Sequence, residues 1–291
     1  MEIRTTGMFK LMDRNIVYEG DGVGESSPIV QVMDGTMSPL PDIRTISSGF
    51  VFPLELVKEM GFDMCPQEYS GRKAVVFKWW DSGWKDKAFL GFPLEFLMNE
   101  DLGPKCPSGL MATVLNREDI ENYFFNNEVL VETLRDFIGF VSITLSIEGG
   151  IKVIAVETGI PYWGFFNMLE GIKTRISEFL CGNIDFYDSW TASLLVSRFP
   201  YPFKYSNGSV FVEGLSQSVE KHFWTGVSNH RKSYTTQSTI IGIATAWSSN
   251  LNEACRRCLR TAWNVSVKDK QFRTDMVREG YGSLNMFFGE V

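Results

Sequence analysis

The sequence predicts an α+β protein with two lobes and a C-terminal mixed α+β unit. Runs rich in β-branched and aromatic residues alternate with segments in which apolar residues recur at helical spacing. The length of 291 residues is enough for at least two domains with a sizeable core. Changes in pattern along the chain place a small lobe at residues 1–66, a larger lobe at 67–189 and the C-terminal unit at 190–291.

The composition is that of an ordinary folded protein. Apolar residues make up 44% of the chain and charged residues 22%, which excludes a disordered or fibrous class. The net charge of −7, with basic residues scattered along the chain, argues against nucleic acid as the main partner. The sequence contains no stretch of roughly 18 apolar residues and no apolar signal core at its start, so we expect a cytoplasmic protein without a membrane partner.

The five cysteines predict a reducing compartment and no disulfide framework, because their number is odd and their spacing irregular. Cys255 and Cys258 have the spacing of a metal-binding pair. They lie in a segment of helical period, however, and a closed zinc site needs four ligands. We therefore predict that both are buried in the core.

The first 66 residues carry the signals of the small lobe. A strand at 15–18 precedes the glycine-rich segment EGDGVGESS, and a second strand follows at 28–33. The segment PLELVKEMGF then predicts a short helix that ends at Gly61.

The larger lobe is predicted to begin with two β-rich runs and to contain two helices. The first helix is expected at 128–138 with Asn127 as its N-cap, and the second at 164–180. A third helix, in SNLNEACRRCLRTAWNVS, belongs to the C-terminal unit and should present its arginines to solvent. We expect Arg273 and Asp275 to be fixed by hydrogen bonds near the last strand of that unit.

The clearest hairpin joins FVSITLSIE and IKVIAVE through a two-residue Gly149-Gly150 turn. This turn predicts that Ser142 lies opposite Glu157, Thr144 opposite Ala155 and Ser146 opposite Val153, all on one face. The other face carries Ile143 and its apolar neighbours and should be buried. Glu157 is therefore expected on a polar face, at the end of a strand, where a cleft would form.

The residue types favour phosphate and metal handling over hydrolysis by a nucleophile. The chain has two histidines and no G-x-S-x-G segment, so a hydrolytic triad has no support. Glycine-rich loops, a strand-end carboxylate and lysines near turns suit a site for phosphates and a divalent cation.

Taken in order, the segments IVYEGDGVG, QEYSG, NEDLGPKCPSGLMATV and GGIKVIAVETGIPYW resemble the ATP-grasp fold. The closer resemblance is to phosphoribosylamine-glycine ligases and to shorter relatives in viruses and archaea. The C-terminal stretch, with Glu253-Ala254 followed by Phe272-Arg273-Thr274-Asp275, is similar to the closing segment of that family. The resemblance covers nearly the whole chain.

The resemblance implies an ATP-dependent ligase that joins a small-molecule carboxylate to an amine, with ATP and magnesium as cofactors. It assigns the metal to Glu157 and a catalytic cation to Lys105. Lys78, on the strand after the hinge, is a candidate to replace a lost cation, and a solvated strand lysine is the other interpretation. The remaining assignments are nucleotide binding by Asp21, Gly22, Gly24, Gln67 and Glu68, and a phosphate or acceptor loop with Gly103, Pro104 and Ser108.

Several positions depart from the family pattern. Glu19 stands where the family has a phosphate-binding lysine, Leu97 stands where a second lysine is expected, and Ala155 replaces a metal-binding glutamate. Each lost cation weakens the attraction for a polyphosphate. A non-catalytic descendant that serves as a binding or scaffolding protein is therefore the alternative. In that case three neighbouring tryptophans, for which core packing is also expected, could mark a contact surface: Trp79, Trp80 and Trp84.

Overall fold

The structure is a computed structural model, and for some residues it describes the backbone alone. The described residues are 7–11, 14–19, 29–32, 51–65, 69, 71–80, 88–94, 97–99, 103–106, 109–135, 137, 139–159, 162–173, 186–201, 208–220, 222–225, 228–230, 233–236 and 239–289.

The strands and helices are numbered in chain order. The strands are β1 Gly7–Leu11, β2 Arg14–Glu19, β3 Ile29–Val32, β4 Lys73–Trp80, β5 Phe89–Leu94, β6 Leu97–Asn99, β7 Gly103–Cys106, β8 Gly109–Val114, β9 Gly139–Ser146, β10 Lys152–Thr158, β11 Trp190–Arg198, β12 Val210–Glu213, β13 Phe223–Thr225, β14 Ser228–His230, β15 Ser233–Thr236, β16 Ile240–Ser248, β17 Ser266–Val267 and β18 Lys270–Gln271. The helices are α1 Leu54–Glu59, α2 Glu118–Phe125, α3 Glu128–Thr133, α4 Tyr162–Gly171, α5 Gln217–Glu220, α6 Leu251–Asn264 and α7 Met276–Gly289.

The largest sheet in the described part of the chain has nine strands. Eight follow one another in the order β10-β9-β4-β5-β8-β11-β16-β13, and β18 pairs with the end of β11. Neighbouring strands in this sheet are antiparallel. Helices α1, α2, α3, α6 and α7 bury their apolar sides against one face of it.

That helix-covered face holds the main hydrophobic core. Side chains alternate along a strand, so Ile143 and Leu145 of β9 point to one face together with Val156 of β10. Helices contribute buried side chains such as Leu130 and Phe287. Each fully buried side chain of this size contributes roughly 1.5–3 kcal/mol to folding.

The opposite face is polar at β9 and β10 and aromatic at β4 and β5. Ser142 and Glu157 lie on it, and Phe77 and Phe89 stack there with ring centroids 5.3 Å apart. Helix α4 packs on this face over β8, β11 and β16. A candidate site on this face therefore has β9 and β10 as its floor.

Within residues 1–66, the structure describes an antiparallel three-stranded sheet and helix α1. Strands β2 and β3 confirm the two predicted strands. The predicted helix end is also confirmed, since Gly61 follows α1 with φ of +73°. The glycine-rich segment at 20–28 lies outside the described residues.

The central sheet includes strands from both sides of residue 190. Strand β11 pairs with β8, so the sheet continues without a break across the boundary predicted at residue 190. A further sheet of the described chain, β14-β15-β12-β17, is formed wholly by residues after 190. The predicted burial of Cys255 and Cys258 on α6 is confirmed, as is the pairing of Arg273 with Asp275.

Two predicted helices have different bounds in the structure. Helix α3 begins after Asn127, whose side chain accepts from the backbone of Leu130 as predicted, but it ends at Thr133 rather than at residue 138. The carbonyl of Leu134 accepts a hydrogen bond from Trp80 Nε1. It also accepts one from the backbone N–H of Phe137, which closes a tight turn.

Helix α4 starts two residues before its predicted start and ends at Gly171, not at residue 180. It stops there because Ile172 pairs with Phe186 and the carbonyl of Gly171 accepts from Tyr187. None of the described helices is both long and apolar enough to cross a membrane.

Candidate functional site

Glu157 occupies the predicted position on the polar face, near the end of β10. It pairs with Ser142 of β9, and the Ser142 hydroxyl donates to Glu157 Oε1 over 3.2 Å. Ser142 is fully buried, whereas Glu157 keeps part of its surface exposed. The carboxyl group is thus oriented by a hydrogen bond and does not lie in a closed apolar core.

Burial raises the pKa of the Glu157 carboxyl, and the hydrogen bond from Ser142 opposes that rise only in part. The environment therefore disfavours the charged form unless a cation is nearby. A carboxylate held in this way is suited to bind a divalent metal, because the metal would offset the burial of the negative charge.

The raised pKa predicts that Glu157→Gln stabilises the fold at neutral pH. A folded-state pKa above the unfolded one means that stability falls as pH rises through the interval between the two. The gain in melting temperature should therefore be largest above the folded pKa and should vanish below about pH 4, where the carboxyl is protonated in both states. Melting curves over this pH range, with the exposed Glu59→Gln as control, test it; an equal gain in the control would contradict it.

The hairpin that carries Glu157 has the predicted register near the site and a different one near its turn. Ser142 faces Glu157 and Thr144 faces Ala155, as predicted. A bulge at Ile154 then shifts the pairing, so Ser146 lies opposite Lys152 and not opposite Val153. The connection is a five-residue loop, 147–151, rather than the predicted two-residue turn.

The segment before β4 explains this longer loop. The backbone N–H of Ile147 donates to the carbonyl of Arg72, and the N–H of Arg72 donates to Glu148 Oε1. The N–H of Glu148 donates to the Tyr69 hydroxyl, which itself donates to the carbonyl of Arg72. Residues 147 and 148 therefore pair with this segment instead of closing a tight turn.

Lys78 lies on the opposite face of the sheet from Glu157. Its side chain points into the helix-covered side, where Nζ is 2.8 Å from Glu121 Oε1 on α2 and 5.8 Å from the centre of the Phe125 ring. The structure thus does not bring it to the candidate metal ligand. Its position supports a structural ion pair, and we leave it out of the site proposed below.

The predicted phosphate or acceptor loop is partly a strand. Gly103, Pro104 and Lys105 belong to β7, which pairs with β6 in a small two-stranded sheet. The backbone of these residues is described, but the Lys105 side chain is not. The other predicted site residues lie outside the described residues, namely Asp21, Gly22, Gly24, Gln67, Glu68 and Ser108.

A polar cluster that the sequence reasoning missed lies near the far edge of the same face. His222 Nδ1 is 2.8 Å from Glu170 Oε1 on α4, and the Thr245 hydroxyl donates to Glu170 Oε2 over 2.8 Å. Trp224 Nε1 donates to the same hydroxyl. Glu170 is almost fully buried, so these contacts satisfy a carboxylate inside the fold. No local pattern connects the three segments, and only their packing reveals the cluster.

The metal-binding capacity of the described residues is modest. They contain no group of three or more His, Cys, Asp and Glu side chains placed to hold a metal ion. Magnesium, however, is often held by one or two carboxylates together with water and substrate phosphates. Glu157, a hard oxygen ligand with a raised pKa, fits that mode of binding.

Cys255 and Cys258 are not suited to bind a metal ion. Burial raises the pKa of the Cys255 thiol to about 12 and that of Cys258 well above its usual range. Metals bind the thiolate form, which these surroundings disfavour. Cys258 Sγ instead donates to the carbonyl of Ala244, consistent with a packing role.

No protein-family model and no curated protein matches the sequence. Solved structures do match the fold. Phosphoribosylamine-glycine ligase from Thermotoga maritima superimposes with a TM-score of 0.50 and 15% identity, covering 71% of this chain and 56% of the ligase. The chain therefore has an α+β ATP-grasp fold.

Two further solved structures resemble the chain less closely. Pyruvate carboxylase from Rhizobium etli has a TM-score of 0.49 and 12% identity over 81% of this chain and 26% of the carboxylase. Biotin carboxylase from Campylobacter jejuni has a TM-score of 0.42 and 10% identity over 76% of this chain and 51% of that enzyme. The chain spans little more than half of the Thermotoga ligase and about a quarter of the Rhizobium carboxylase.

Proposed function

We propose that the protein is an ATP-dependent ligase that joins a small-molecule carboxylate to an amine through an acyl phosphate. The observation that carries the proposal is the position of Glu157. It is a partly buried carboxyl group with a raised pKa, hydrogen-bonded on the polar face of an ATP-grasp sheet. Perturbed groups of this kind concentrate at functional sites.

The reaction proceeds in two displacements. An oxygen of the acid attacks the terminal phosphorus of ATP, the bond to ADP breaks, and an acyl phosphate forms. The amine then attacks the acyl carbon, inorganic phosphate leaves, and the amine loses a proton. Neither step needs a covalent enzyme intermediate, so the work of the protein is to position the reactants and stabilise charge.

Glu157 would hold magnesium, and the metal would supply positive charge to offset the negative charge of the phosphates. Ser142 keeps the Glu157 carboxylate in place by its hydrogen bond. In this proposal Asp21, Gly22 and Gly24 bind phosphates, and Gln67 and Glu68 bind adenine and ribose. The β7 segment with Gly103 and Pro104, followed by Ser108, binds phosphates or the acceptor, and Lys105 serves as a catalytic cation.

Binding of ATP should require magnesium and Glu157. Without the metal, the carboxylate and the phosphates repel each other. In the parent, ATP with magnesium at 100 times its dissociation constant should raise stability by about 2.7 kcal/mol. Glu157→Gln is expected to weaken binding at least roughly tenfold, about 1.4 kcal/mol, while Glu59→Gln should leave it unchanged. Calorimetry with and without magnesium measures the gain in stability of the parent and the loss of affinity in Glu157→Gln.

Tight binding that ignores magnesium, or binding equal in Glu157→Gln, would place the site elsewhere. The chemical step has a separate readout: hydroxylamine converts an acyl phosphate into a hydroxamate. With glycine as the acid, hydroxamate should accumulate in proportion to ADP in the parent. If ATP binds but neither glycine nor another small acid yields a hydroxamate, the protein binds the nucleotide without catalysing the ligation.

The alternative is a non-catalytic descendant that binds a partner or acts as a scaffold. One observation favours it: Lys78, the candidate replacement for a lost cation, is held by Glu121 on the other side of the sheet. If no nucleotide changes the melting temperature of the parent, this alternative is to be preferred.

A further inference from the structure

Arg198, the last residue of β11, is a buried cation that no carboxylate pairs with in the described part of the chain. The residue is 6% exposed. Its Nη1 donates to the carbonyl oxygen of Gly208 over 3.3 Å, and within the described residues its side chain forms no other hydrogen bond. Enclosing a guanidinium without a counter-ion or further hydrogen bonds is costly. A buried donor of this kind often marks the position of a bound ion or water.

The edge of the guanidinium formed by Nε and Nη2 is available to a ligand. Nε is enclosed, and among the described residues it has no hydrogen-bond partner. Nη2 has no such partner either, but it is not enclosed, so one end of this edge reaches solvent. The N–H groups of Nε and Nη2 point in parallel. This arrangement binds two oxygens of one phosphate or carboxylate.

A second cation lies beside Arg198. Lys270 of β18 is its direct partner in the antiparallel pair, so the two side chains share a face of the sheet. Lys270 Nζ donates to the carbonyls of Ala262, Trp263 and Val265 at the end of α6, and in the described part of the chain it has no carboxylate partner. Burial lowers the pKa of Lys270. A nearby anion would offset both this burial and the repulsion between the two like charges.

Acidic residues from the neighbouring segments do not supply the missing charge. Glu213 and Asp269 are exposed, and neither forms an ion pair with a described residue. The stretch 202–207, with the sequence PFKYSN, contains no Asp or Glu and adds a lysine. The segments on either side of Arg198 and Lys270 therefore leave the positive charge unbalanced.

Arg198 is separate from the site built around Glu157. Val196, two residues earlier on β11, belongs to the core on the helix-covered face, and residues two apart on a strand share a face. Helix α6, whose end holds Lys270, packs on that face as well. Glu157 lies on the opposite face of the sheet. A ligand bound at Arg198 would therefore not contact Glu157 or its metal.

We infer that Arg198 binds a phosphate group through Nε and Nη2. A phosphate monoester carries about two negative charges at neutral pH, which match the two neighbouring cations, whereas a carboxylate carries one. Lys270 adds charge but no hydrogen bond, because the end of α6 engages its Nζ. The ligand is thus a phosphorylated small molecule or free phosphate, and its binding needs neither magnesium nor Glu157.

Melting curves recorded in EDTA test this site, because the proposed ATP site requires magnesium. Inorganic phosphate and methyl phosphate are compared with acetate and chloride at equal ionic strength. One or both phosphates should raise the melting temperature of the parent to a plateau, and the tighter of the two identifies the form that the site prefers. Arg198→Met should weaken phosphate binding at least roughly tenfold. Arg198→Lys should also weaken it, because lysine keeps the charge but not the paired N–H groups.

Arg256→Met is the matched control. Arg256 is an exposed arginine of α6 without an ion pair to a described residue, so its removal should leave the phosphate response unchanged. Glu157→Gln should keep the response too, which separates this inference from the proposed ATP site.

The inference is overturned if neither phosphate raises the melting temperature more than chloride does. Acetate acting as well as phosphate would show a carboxylate site instead. A phosphate response that survives undiminished in Arg198→Met would place the ion elsewhere. Circular dichroism establishes that the variants are folded, and Arg198→Lys decides by the same criterion if Arg198→Met is not.

Discussion

Gly214→Ala is expected to lower the free energy of unfolding by roughly 3 kcal/mol or more. Gly214 has φ of +80°, a conformation that costs an L-residue about 1–2 kcal/mol. The added Cβ would also lie 1.8 Å from the carbonyl oxygen of Asn264. Because this contact joins two backbone segments, no side-chain movement can relieve it. Helix α6 and β12 would have to separate. Denaturant unfolding monitored by tryptophan fluorescence measures the loss.

Gly149→Ala is the matched control for this substitution. Gly149 has a similar φ of +74°, but no atom lies within 4 Å of an added Cβ. Only the backbone conformation is strained there, so the loss should be about 1–2 kcal/mol. Equal losses at the two positions would show that the contact between Gly214 and Asn264 is not tight.

Arg273→Leu is expected to cost roughly 3 kcal/mol, because it leaves the Asp275 carboxylate without its main partner. Arg273 donates two hydrogen bonds to Asp275, at 2.9 Å and 2.7 Å, and both side chains are largely buried. Burial by itself would raise the pKa of Asp275, but the hydrogen bonds and charge of Arg273 outweigh it and hold the pKa below its usual value. The pair therefore stabilises the fold at neutral pH and loses this effect as the pH falls through the lowered pKa.

Arg278→Leu is the control, since it removes a second cation from the same carboxylate. Arg278 is 3.5 Å from Asp275 Oδ2, but its side chain is 78% exposed. Exposed pairs contribute about 0–1 kcal/mol. Chemical unfolding of both variants at neutral and acidic pH should separate them, and the Arg273→Leu deficit should shrink in acid. A deficit independent of pH would mean that lost packing, not lost charge, accounts for it.

The parts of the fold that local patterns control could be predicted from the sequence. Strict alternation in β9 and β10 placed Ser142 and Glu157 on the polar face, because a strand with one buried face admits one register there. The N-cap at Asn127 and the helix end at Gly61 follow from backbone chemistry within a few residues. The ATP-grasp fold was predicted from the order of short motifs, and the match to the Thermotoga ligase agrees with it.

Helix ends were harder to predict where distant residues decide them. Trp80 takes the carbonyl of Leu134, and Phe186 pairs with Ile172, so both helices stop before their apolar pattern does. The bulge at Ile154 has the same kind of cause. Next to the bulge, the N–H of Val153 donates to the carbonyl of Asp63 and the carbonyl of Val153 accepts from Cys65, and no pattern within the hairpin reveals these contacts.

The sequence by itself thus determined the strand that carries Glu157 and the side to which this carboxyl points. Only the tertiary structure decided the position of Lys78, because both faces of β4 are buried and the strand has no polar alternation to fix its direction. The same holds for the contacts of Glu170 with His222 and Thr245. Those residues are far apart in the chain, and they meet only because α4 packs across the sheet, a consequence of the whole core rather than of any one segment.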